Sequence, residues 1–251
     1  MDIVIIGTGN TATVLGKKLK GAGHRILQVF GRDAAAASEL AYQLETESTN
    51  YWSVVTREAD LYVLAVSDIA IEELKSELQL GEKTVVHTAA AVSKSVLEHS
   101  AAHFGVFYPL QTLKKNASHL PDIPMVIDAS DPATLDLLDG LAHTISANVV
   151  EGDDAYRLKL HLAAVFCNNF TNHLYALMED YCRTQGIPFS LLVPLIQETA
   201  MRLEEMAPSD AQTGPAIRRD QATIEKHLAL LKDDARLREV YVMMTKSIQG
   251  G

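Results

Sequence analysis

Three small residues near the start of the chain have a spacing that suits a phosphate group. Gly7, Gly9 and Ala12 form a G-x-G-x-x-A pattern that directly follows the apolar run Ile3–Ile6 and opens a predicted helix. In this setting the first glycine permits a tight turn, and the second lets the backbone approach a pyrophosphate. The free amides of the helix start then face the anion. We therefore predict a dinucleotide site built from Gly7, Thr8, Gly9, Asn10, Thr11 and Ala12, with a tight turn that binds nothing as the alternative.

The end of the second predicted strand indicates which dinucleotide would bind. Sites for NAD usually place an acidic residue about 20 residues after the last small residue of the motif. In this chain Arg32 takes that position and Asp33 follows it, where it suits the cap of the next helix. A guanidinium group suits a 2′-phosphate, and Gly31 leaves space for it. We predict NADP(H) rather than NAD(H), while a solvated surface charge is the alternative for Arg32.

Two later strand ends are expected to face the same crevice, because ligands of open α/β sheets bind outside the carboxyl ends of the strands. Val66 and Ser67 end one strand and His87 ends the next, so all three are predicted cofactor contacts. A helix cap at Ser67 and a satisfied turn histidine at His87 remain alternatives. Tyr108-Pro109-Leu110-Gln111-Thr112 follows a further strand. It suits either a wall of the substrate pocket or an extended loop imposed by Pro109.

Polar residues with helical spacing follow in the second half of the chain. At 100° per residue they lie within about 60° of one another on one helix face. A solvated face would more often carry Glu and Lys, so this stripe suits a polar substrate. Its members are Arg157, His161, Asn168, Asn172 and Tyr175.

A second polar segment runs from Thr213 to Asp220. Pro215 suits the first turn of a helix, and Arg218 or Arg219 would then stand near free amides. The segment is therefore either a site for a carboxylate or phosphate, with Arg218 as its cation, or a plain helix start.

The elements that must position these residues change in character near Gly152. Before it, short apolar runs alternate with helical stretches, which predicts parallel strands with right-handed crossovers. After it the pattern is helical throughout. We predict an α/β fold, in which a doubly wound Rossmann domain over residues 1–152 precedes an all-α domain over residues 153–251. The helices expected in the second domain are Asp153–Gln185, Pro188–Met206, Pro215–Lys232 and Ala235–Ile248.

The first of these helices also carries an apolar seam. Its members recur at alternating spacings of three and four residues, which suits packing inside the domain and equally a contact between subunits. Because about 100 helical residues form a thin layer, we expect a homodimer through the second domain. The seam consists of Leu160, Ala163, Cys167, Phe170, Leu174, Leu177 and Tyr181.

Composition narrows the class of protein. The net charge of −10 argues against nucleic acid as a partner, because phosphate backbones are bound by clustered Lys and Arg. No basic segment precedes an apolar run at the amino terminus, and no apolar run is long enough to span a membrane. Cys167 and Cys182 have neither metal-type nor disulfide-framework spacing, so no metal site is predicted. We expect a cytoplasmic protein whose partner is a small-molecule substrate.

These motifs together resemble those of the bacterial proteins in which a Rossmann-like domain precedes a DUF2520 domain, proteins to which NADP oxidoreductase activity is commonly assigned. The resemblance covers the glycine motif, residues 108–112, His161-Leu162-Ala163-Ala164-Val165 with Asn168-Asn169, and residues 213–220. Some members look like an alternative form of ketopantoate reductase. The wider superfamily includes β-hydroxyacid dehydrogenases, pyrroline-5-carboxylate reductases and F420-dependent NADP oxidoreductases.

The chain departs from the resemblance in two places. Tyr108 stands where the family commonly has a histidine, so a histidine acid is excluded there. Many hydroxyacid dehydrogenases use a Lys with an Asn four residues later, whereas here Lys159 is followed at that spacing by Ala163. The mechanism of the wider superfamily therefore does not transfer with the fold.

The resulting hypothesis is an NADP-dependent reductase of a small oxo-acid, with ketopantoate as one candidate, or of an imine. His161 is the best general acid, because a histidine ordinarily titrates near neutral pH. Asn168 and Asn172 would orient the substrate, and Arg218 would hold a carboxylate. The alternative is a sensor or scaffold that binds NADP(H) without turnover, which the missing Lys/Asn pair favours.

Overall fold

The computed structural model describes residues 1–74, 77–116 and 122–250. Strands and helices are interleaved over the first 151 residues, as the sequence predicts, although some strands follow one another with no α-helix between them. In chain order the elements are β1 Asp2–Ile6, α1 Asn10–Gly21, β2 Arg25–Phe30, α2 Ala34–Leu44, β3 Glu47–Thr49, β4 Leu61–Leu64, α3 Asp68–Leu74, β5 Thr84–His87, β6 His103–Pro109, β7 Met125–Ala129, α4 Pro132–His143 and β8 Val149–Glu151.

The strands form one sheet in the order β3-β2-β1-β4-β5-β6-β7-β8. Every neighbouring pair is parallel except β6 and β7, which run antiparallel. The prediction of parallel pairing throughout is therefore wrong at β7. The strand order reverses between β1 and β4, and such a reversal opens a crevice at the carboxyl ends of the strands.

Both faces of the sheet are covered, which is why its inner strands are apolar on both sides. Ile3 and Ile5 of β1 belong to a core that includes α1, α2 and α4. Val4 and Ile6, on the opposite face, belong to a second core that includes Ile71 of α3. The predicted α/β class with a doubly wound Rossmann domain is confirmed.

Helices alone follow β8. They are α5 Asp154–Ala164, a π-helical turn at Val165–Phe170, α6 Thr171–Gln185, α7 Val193–Met201, α8 Gln221–Leu230 and α9 Ala235–Ile248. Short 3₁₀ turns lie at Phe189–Leu191 and Arg202–Glu204, on either side of α7. No helix among the described residues is long and apolar enough to cross a membrane.

The chain divides into two compact units, Met1–Asn168 and Asn169–Gly251. The predicted boundary at residues 152 and 153 marks the change from strands to helices, but α5 belongs to the same unit as the sheet. This placement has a physical reason, because Arg157 of α5 is fully buried and Leu160 packs against an apolar cluster that contains Val106 and Tyr108.

Three local predictions need correction. The helix predicted from Pro215 begins instead at Gln221, where the carboxylate of Asp220 accepts a hydrogen bond from the amide of Thr223. Residues 215–219 form turns, so Arg218 does not stand in the first turn of a helix. The sequence of residues Ile145–Val150 predicts a strand over all six, but the strand that forms is shorter and ends later, at Val149–Glu151.

Candidate active site

A cleft of about 550 Å³ opens where the strand order reverses. The turn after β1 supplies one wall, the end of β2 the second, and the residues that follow β4 together with one side of α3 the third. Most residues that the sequence predicts for cofactor binding line it. The lining consists of Gly7, Thr8, Gly9, Asn10, Thr11, Phe30, Gly31, Arg32, Asp33, Ala65, Val66, Ser67, Ala70, Glu73 and Leu74.

Two glycines of this cleft are required by the chain itself. Gly7 has φ +124°, a conformation that favours glycine, and a side chain there would collide with the carbonyl oxygen of Ala65. A methyl group on Gly31 would come within 2.5 Å of the Thr8 side chain. The glycine at each position therefore keeps the three strand ends close together.

Gly9 differs, because a Cβ atom there would meet no atom within 4 Å. It precedes α1 as the N-cap, and because glycine has no side chain, no side-chain oxygen caps the first amides of the helix. Space in front of the first amides of a helix is what a pyrophosphate requires. The cradle at Gly9 thus fits the diphosphate of a dinucleotide.

Arg32 stands at the mouth of the cleft with its side chain exposed. Its Nη1 atom lies 3.3 Å from Oε2 of Glu73 on α3, so the two charges face each other across the opening. The carboxylate of Asp33 already has hydrogen-bond partners, because it caps α2 by accepting from the amides of Ala35 and Ala36. Arg32 is therefore the cation of this cleft wall that a 2′-phosphate would meet.

The structure places two predicted cofactor contacts away from the cleft wall. Ala12 is fully buried in α1, where its small size lets the helix pack on the sheet. His87 is also fully buried, and its Nδ1 atom accepts from the amide of Ala89. Burial, aided by the charge of Arg157, lowers the pKa of His87 to about 4, so this imidazole is neutral near pH 7.

A second group of polar side chains lies at the same edge of the sheet, beyond β5. Tyr108 is near the end of β6, which runs parallel to β5. Its hydroxyl oxygen lies 3.2 Å from Nδ1 of His161 on α5. Strands are about 4.8 Å apart, so two strand steps, or about 10 Å, separate this pair from the end of β4. The sequence could not show this contact, because it joins residues on separate elements.

Arg157 lies one helical turn before His161 and is not available to a ligand. It is fully buried, with Nε donating to the carbonyl of Ala90 at 3.2 Å and Nη2 to that of Val92 at 2.6 Å. Nη2 also contacts the carboxylate of Asp154 at 2.7 Å. The polar stripe predicted on this helix therefore begins with a residue that holds the turn after β5.

The rest of the predicted stripe is divided. The amide of Asn168 donates to the hydroxyl of Thr112, which follows β6 and ends the segment that the sequence offers as a wall of the substrate pocket. Asn172 and Tyr175 lie on α6, within the unit Asn169–Gly251, and Asn172 is exposed. Arg218, from the separate segment Thr213–Asp220, lies in the turns before α8 of the same unit. The π-helical turn explains the division, because a wider turn breaks the 100° periodicity from which the stripe was inferred.

These features define a class of protein, the Rossmann-type oxidoreductases that use a dinucleotide. Residues 2–91 match the family described as NADP oxidoreductase, coenzyme F420-dependent. This match agrees with the arginine at the end of β2. The prediction of an oxidoreductase with NADP as its cofactor is confirmed at this level.

Within this class the chain belongs to the DUF2520 family. Residues 123–248 match the DUF2520 domain, a domain of unknown function. The chain is similar over its whole length to the crystal structure of a proposed NADP oxidoreductase from Bacteroides fragilis. The two are 40% identical, with a TM-score of 0.91 and coverage of 100% of this chain and 98% of the other. The predicted family is therefore confirmed.

More distant solved structures share the fold. A 1-pyrroline-5-carboxylate reductase from Streptococcus pyogenes is 15% identical, with a TM-score of 0.69 over 100% of this chain and 99% of that one. An imine reductase from Myxococcus stipitatus, solved with NADP⁺, is 18% identical, with a TM-score of 0.65 over 100% and 93%. A search of the curated proteins found no match to this chain.

Proposed function

We propose that the protein uses NADPH to reduce the C=O or C=N group of a small substrate. The observation that carries this proposal is the partly exposed imidazole of His161, held by Tyr108 at the sheet edge that also forms the cofactor cleft. A reduction of this kind needs a hydride and a proton. The cofactor supplies the hydride when it is bound, and the protein must supply the proton.

In this proposal the cofactor lies along the carboxyl edge of the sheet. Arg32 would hold the 2′-phosphate, and the amides at the start of α1 would hold the diphosphate. Thr8, Asn10 and Thr11 would also hold the diphosphate, while Val66 and Ser67 would hold the nicotinamide half. His87 supports this end from beneath, because its imidazole fixes the turn at Ala89.

His161 is the proposed proton donor. Its Nδ1 atom is engaged by Tyr108, whereas Nε2 makes no hydrogen bond to a described residue and the side chain is half-exposed. Nε2 is therefore the ring atom left for a substrate. Asn168 lies on the π-helical turn and would help to orient the substrate oxygen or nitrogen. Asn172 and Arg218, which belong to the unit Asn169–Gly251, are further proposed substrate contacts.

The substrate class rests on chemistry and on distant likeness. Pyrroline-5-carboxylate reductase and imine reductase both share the fold, and both names imply a C=N substrate. A small oxo-acid, ketopantoate included, would use the same hydride and proton, with Arg218 as the partner of its carboxylate. A panel of cyclic imines, ketopantoate and other 2-oxo acids, followed by NADPH absorbance, separates these two classes.

His161→Gln tests the proposed donor. General acids typically contribute about 10²–10⁴-fold to rate, so turnover should fall by that order while NADPH affinity stays unchanged. His143→Gln, an exposed histidine of α4 bonded to Asp139, is the matched control and should keep full activity. Asn168→Ala should lower turnover less, through lost orientation. Full activity in a folded His161→Gln protein contradicts the role.

The alternative function is a sensor or scaffold that binds NADP(H) without turnover. The observation that favours it is Ala163, which stands four residues after Lys159 where hydroxyacid dehydrogenases have an Asn. Tight NADPH binding with no oxidation across the whole panel would support this alternative. We also propose a cytoplasmic location, in keeping with the free thiols of Cys167 and Cys182.

A further inference from the structure

Tyr108 and His161 are in contact but differ in their exposure to solvent. Tyr108 is 9% exposed, whereas His161 is half-exposed, so the imidazole lies between the phenol and the open side of the site. The hydroxyl is 3.2 Å from Nδ1, and the two rings meet edge to face, with centroids 6.4 Å apart. The imidazole therefore offers the hydroxyl proton a hydrogen-bonded route towards the open side of the site.

A buried cation lies behind this pair. The guanidinium of Arg157 donates to the carbonyl of Ala90, and Ala90 belongs to the same small apolar cluster as Tyr108. Asp154 is its ion-pair partner, but that carboxylate is partly exposed while the guanidinium is fully buried. One nitrogen of the guanidinium, Nη1, has no hydrogen-bond partner among the described residues. A negative charge on Tyr108 would thus form beside a positive charge that is only partly neutralised.

We propose that Tyr108 is a positioning residue that keeps neutral His161 protonated on Nε2 and replaces the proton that His161 gives to the substrate. This inference rests on the proposed function, since it concerns the origin of the proton in that reduction. If the tyrosine donates to Nδ1, the neutral imidazole must carry its own proton on Nε2. That is the protonation state in which the exposed nitrogen is an acid.

The proton transfer balances within the chain. As hydride reaches the substrate carbon, the N–H bond at Nε2 breaks and its proton bonds to the substrate oxygen or nitrogen. Nδ1 takes the hydroxyl proton of Tyr108 at the same time, so the imidazole stays neutral and Tyr108 becomes a phenolate. After the product leaves, a solvent proton enters at Nε2 and the Nδ1 proton returns to Tyr108.

The surroundings of Tyr108 shift its pKa in opposite directions. Burial raises the pKa of Tyr108, and the charge of Arg157 lowers it again in part. The phenol is therefore protonated at rest, as the relay requires, while Arg157 stabilises the phenolate that forms during transfer. His87, also near Arg157, is neutral and adds no competing charge near pH 7.

The tautomer of His161 can be measured without any substrate. In ¹⁵N-histidine-labelled protein, two-bond ¹H–¹⁵N spectra report which ring nitrogen carries the proton, and His161→Gln assigns the signal. We expect Nε2–H in the parent protein and a shift towards Nδ1–H in Tyr108→Phe. Tyr62→Phe is the matched control, because it removes the hydroxyl of another buried tyrosine that donates to the carbonyl of Thr56. Its His161 signal should match the parent's.

Two outcomes of this experiment overturn the proposal. One is a parent protein whose His161 carries its proton on Nδ1, since Tyr108 would then be an acceptor. The other is an unchanged His161 tautomer in a folded Tyr108→Phe protein. Neither result depends on turnover, so the relay can fail while the reductase stands, and an inactive substrate panel can reject the reductase while the tautomer result stands.

Kinetics with an active substrate test the proton transfer itself. Two protons moving together give a curved dependence of kcat on the deuterium fraction of the solvent, and one proton gives a straight line. We expect curvature in the parent and in Tyr62→Phe. Tyr108→Phe should give a straight line, with kcat lower by about tenfold to a hundredfold and unchanged NADPH affinity. A straight line in a parent enzyme whose chemical step limits kcat rejects the relay.

Discussion

Arg32 and Glu73 form an exposed ion pair at the mouth of the cleft, and such pairs add little to stability. The pairing matters for ligand choice instead, since a bound 2′-phosphate would compete with the carboxylate of Glu73 for the same guanidinium. Specificity for a charged group comes from repulsion as well as attraction. The residue that selects the cofactor and the residue that opposes it are therefore neighbours across the opening.

Substitution of Arg32 should affect NADPH and spare NADH. A charge-assisted contact is worth on the order of 1–3 kcal/mol, so Arg32→Ala should weaken NADPH binding by roughly tenfold to a hundredfold. Glu73→Gln should strengthen NADPH binding slightly, because the competing charge is gone. Arg183→Ala, equally exposed and paired with Asp180 in the other unit, is the control. Equal affinity of the parent for both cofactors, measured by nicotinamide fluorescence, contradicts this assignment.

His87 should make the protein sensitive to acid. The unfolded chain takes up a proton near pH 6.5, whereas the folded state resists it until about pH 4. Because folding lowers the pKa of His87, the contribution of neutral His87 to the free energy of unfolding is fully present above pH 6.5 and is lost as the pH falls towards 4. The loss amounts to about 3 kcal/mol.

Urea unfolding of the parent and of His87→Asn between pH 7 and pH 4 measures this effect. An asparagine oxygen can still accept from the amide of Ala89, so the turn after β5 is retained. The variant should lose less stability than the parent over this range. His143→Asn, at an exposed position, should follow the parent. Parallel pH curves for the parent and His87→Asn would show that another group causes the loss.

Around the start of α1, two glycines are required by contacts within the fold, whereas a third leaves space for a ligand. Gly7 and Gly31 are fixed by contacts within the chain, whereas Gly9 faces open space. Gly9→Ala should therefore still fold, at a cost of about 1 kcal/mol, because alanine is a poorer N-cap than glycine but its methyl group meets no atom of the chain. A methyl group there would nevertheless occupy the space in front of the first amides.

NADPH affinity and thermal stability of Gly9→Ala test this distinction together. We expect binding to weaken by at least about tenfold while the melting temperature changes little. Gly140→Ala is the matched control, because its added methyl group also meets nothing within 4 Å and it lies in α4, away from the cleft. Unchanged affinity in Gly9→Ala would mean that no diphosphate approaches this turn.

The sequence predicted elements where one periodicity or one capping signal dominates. The glycine motif located β1 and α1, and α9 has the predicted bounds Ala235–Ile248. Helix α4 was missed between two apolar runs, although Asp131 and Pro132 form a cap and first turn. The short strand β3 was missed because most of its residues are polar and exposed. The helix start at Pro215 was misplaced because the true cap is Asp220.

The candidate site was predictable only in part, for a similar reason. Residues of the cleft fall in three short segments, each at the end of a strand, so a local pattern identifies each segment. The contacts of Tyr108 with His161 and of Thr112 with Asn168 join distant segments, and no local pattern encodes them. The π-helical turn further misaligned the polar stripe, since its extra residue per turn is invisible to a fixed helical period.

Across the whole molecule, the unit Asn169–Gly251 stands out because it buries so little. Its buried apolar side chains are Cys182, Ala216, Ile224 and Leu237, while many large ones are exposed. Leu191 and Leu195, for example, are 70% and 64% exposed. None of the predicted seam residues is fully buried, so the seam does not form a closed core within the chain. Exposed apolar surface of this extent is typical of a subunit interface.

We therefore expect a homodimer through the helical domain, as the seam predicts. Leu174 lines an apolar cavity of about 660 Å³ within this unit, so Leu174→Glu should give monomer or insoluble protein.

Leu195→Glu is the variant that distinguishes a lost dimer from a lost fold, because an exposed leucine can become glutamate without unfolding a monomer. It should give a folded monomer by circular dichroism and light scattering, since a charge inside a dimer interface is costly. Tyr42→Glu, at an 85% exposed position on α2, should remain dimeric. A parent protein that is a stable monomer at micromolar concentration contradicts the dimer, and the exposed leucines would then need another partner.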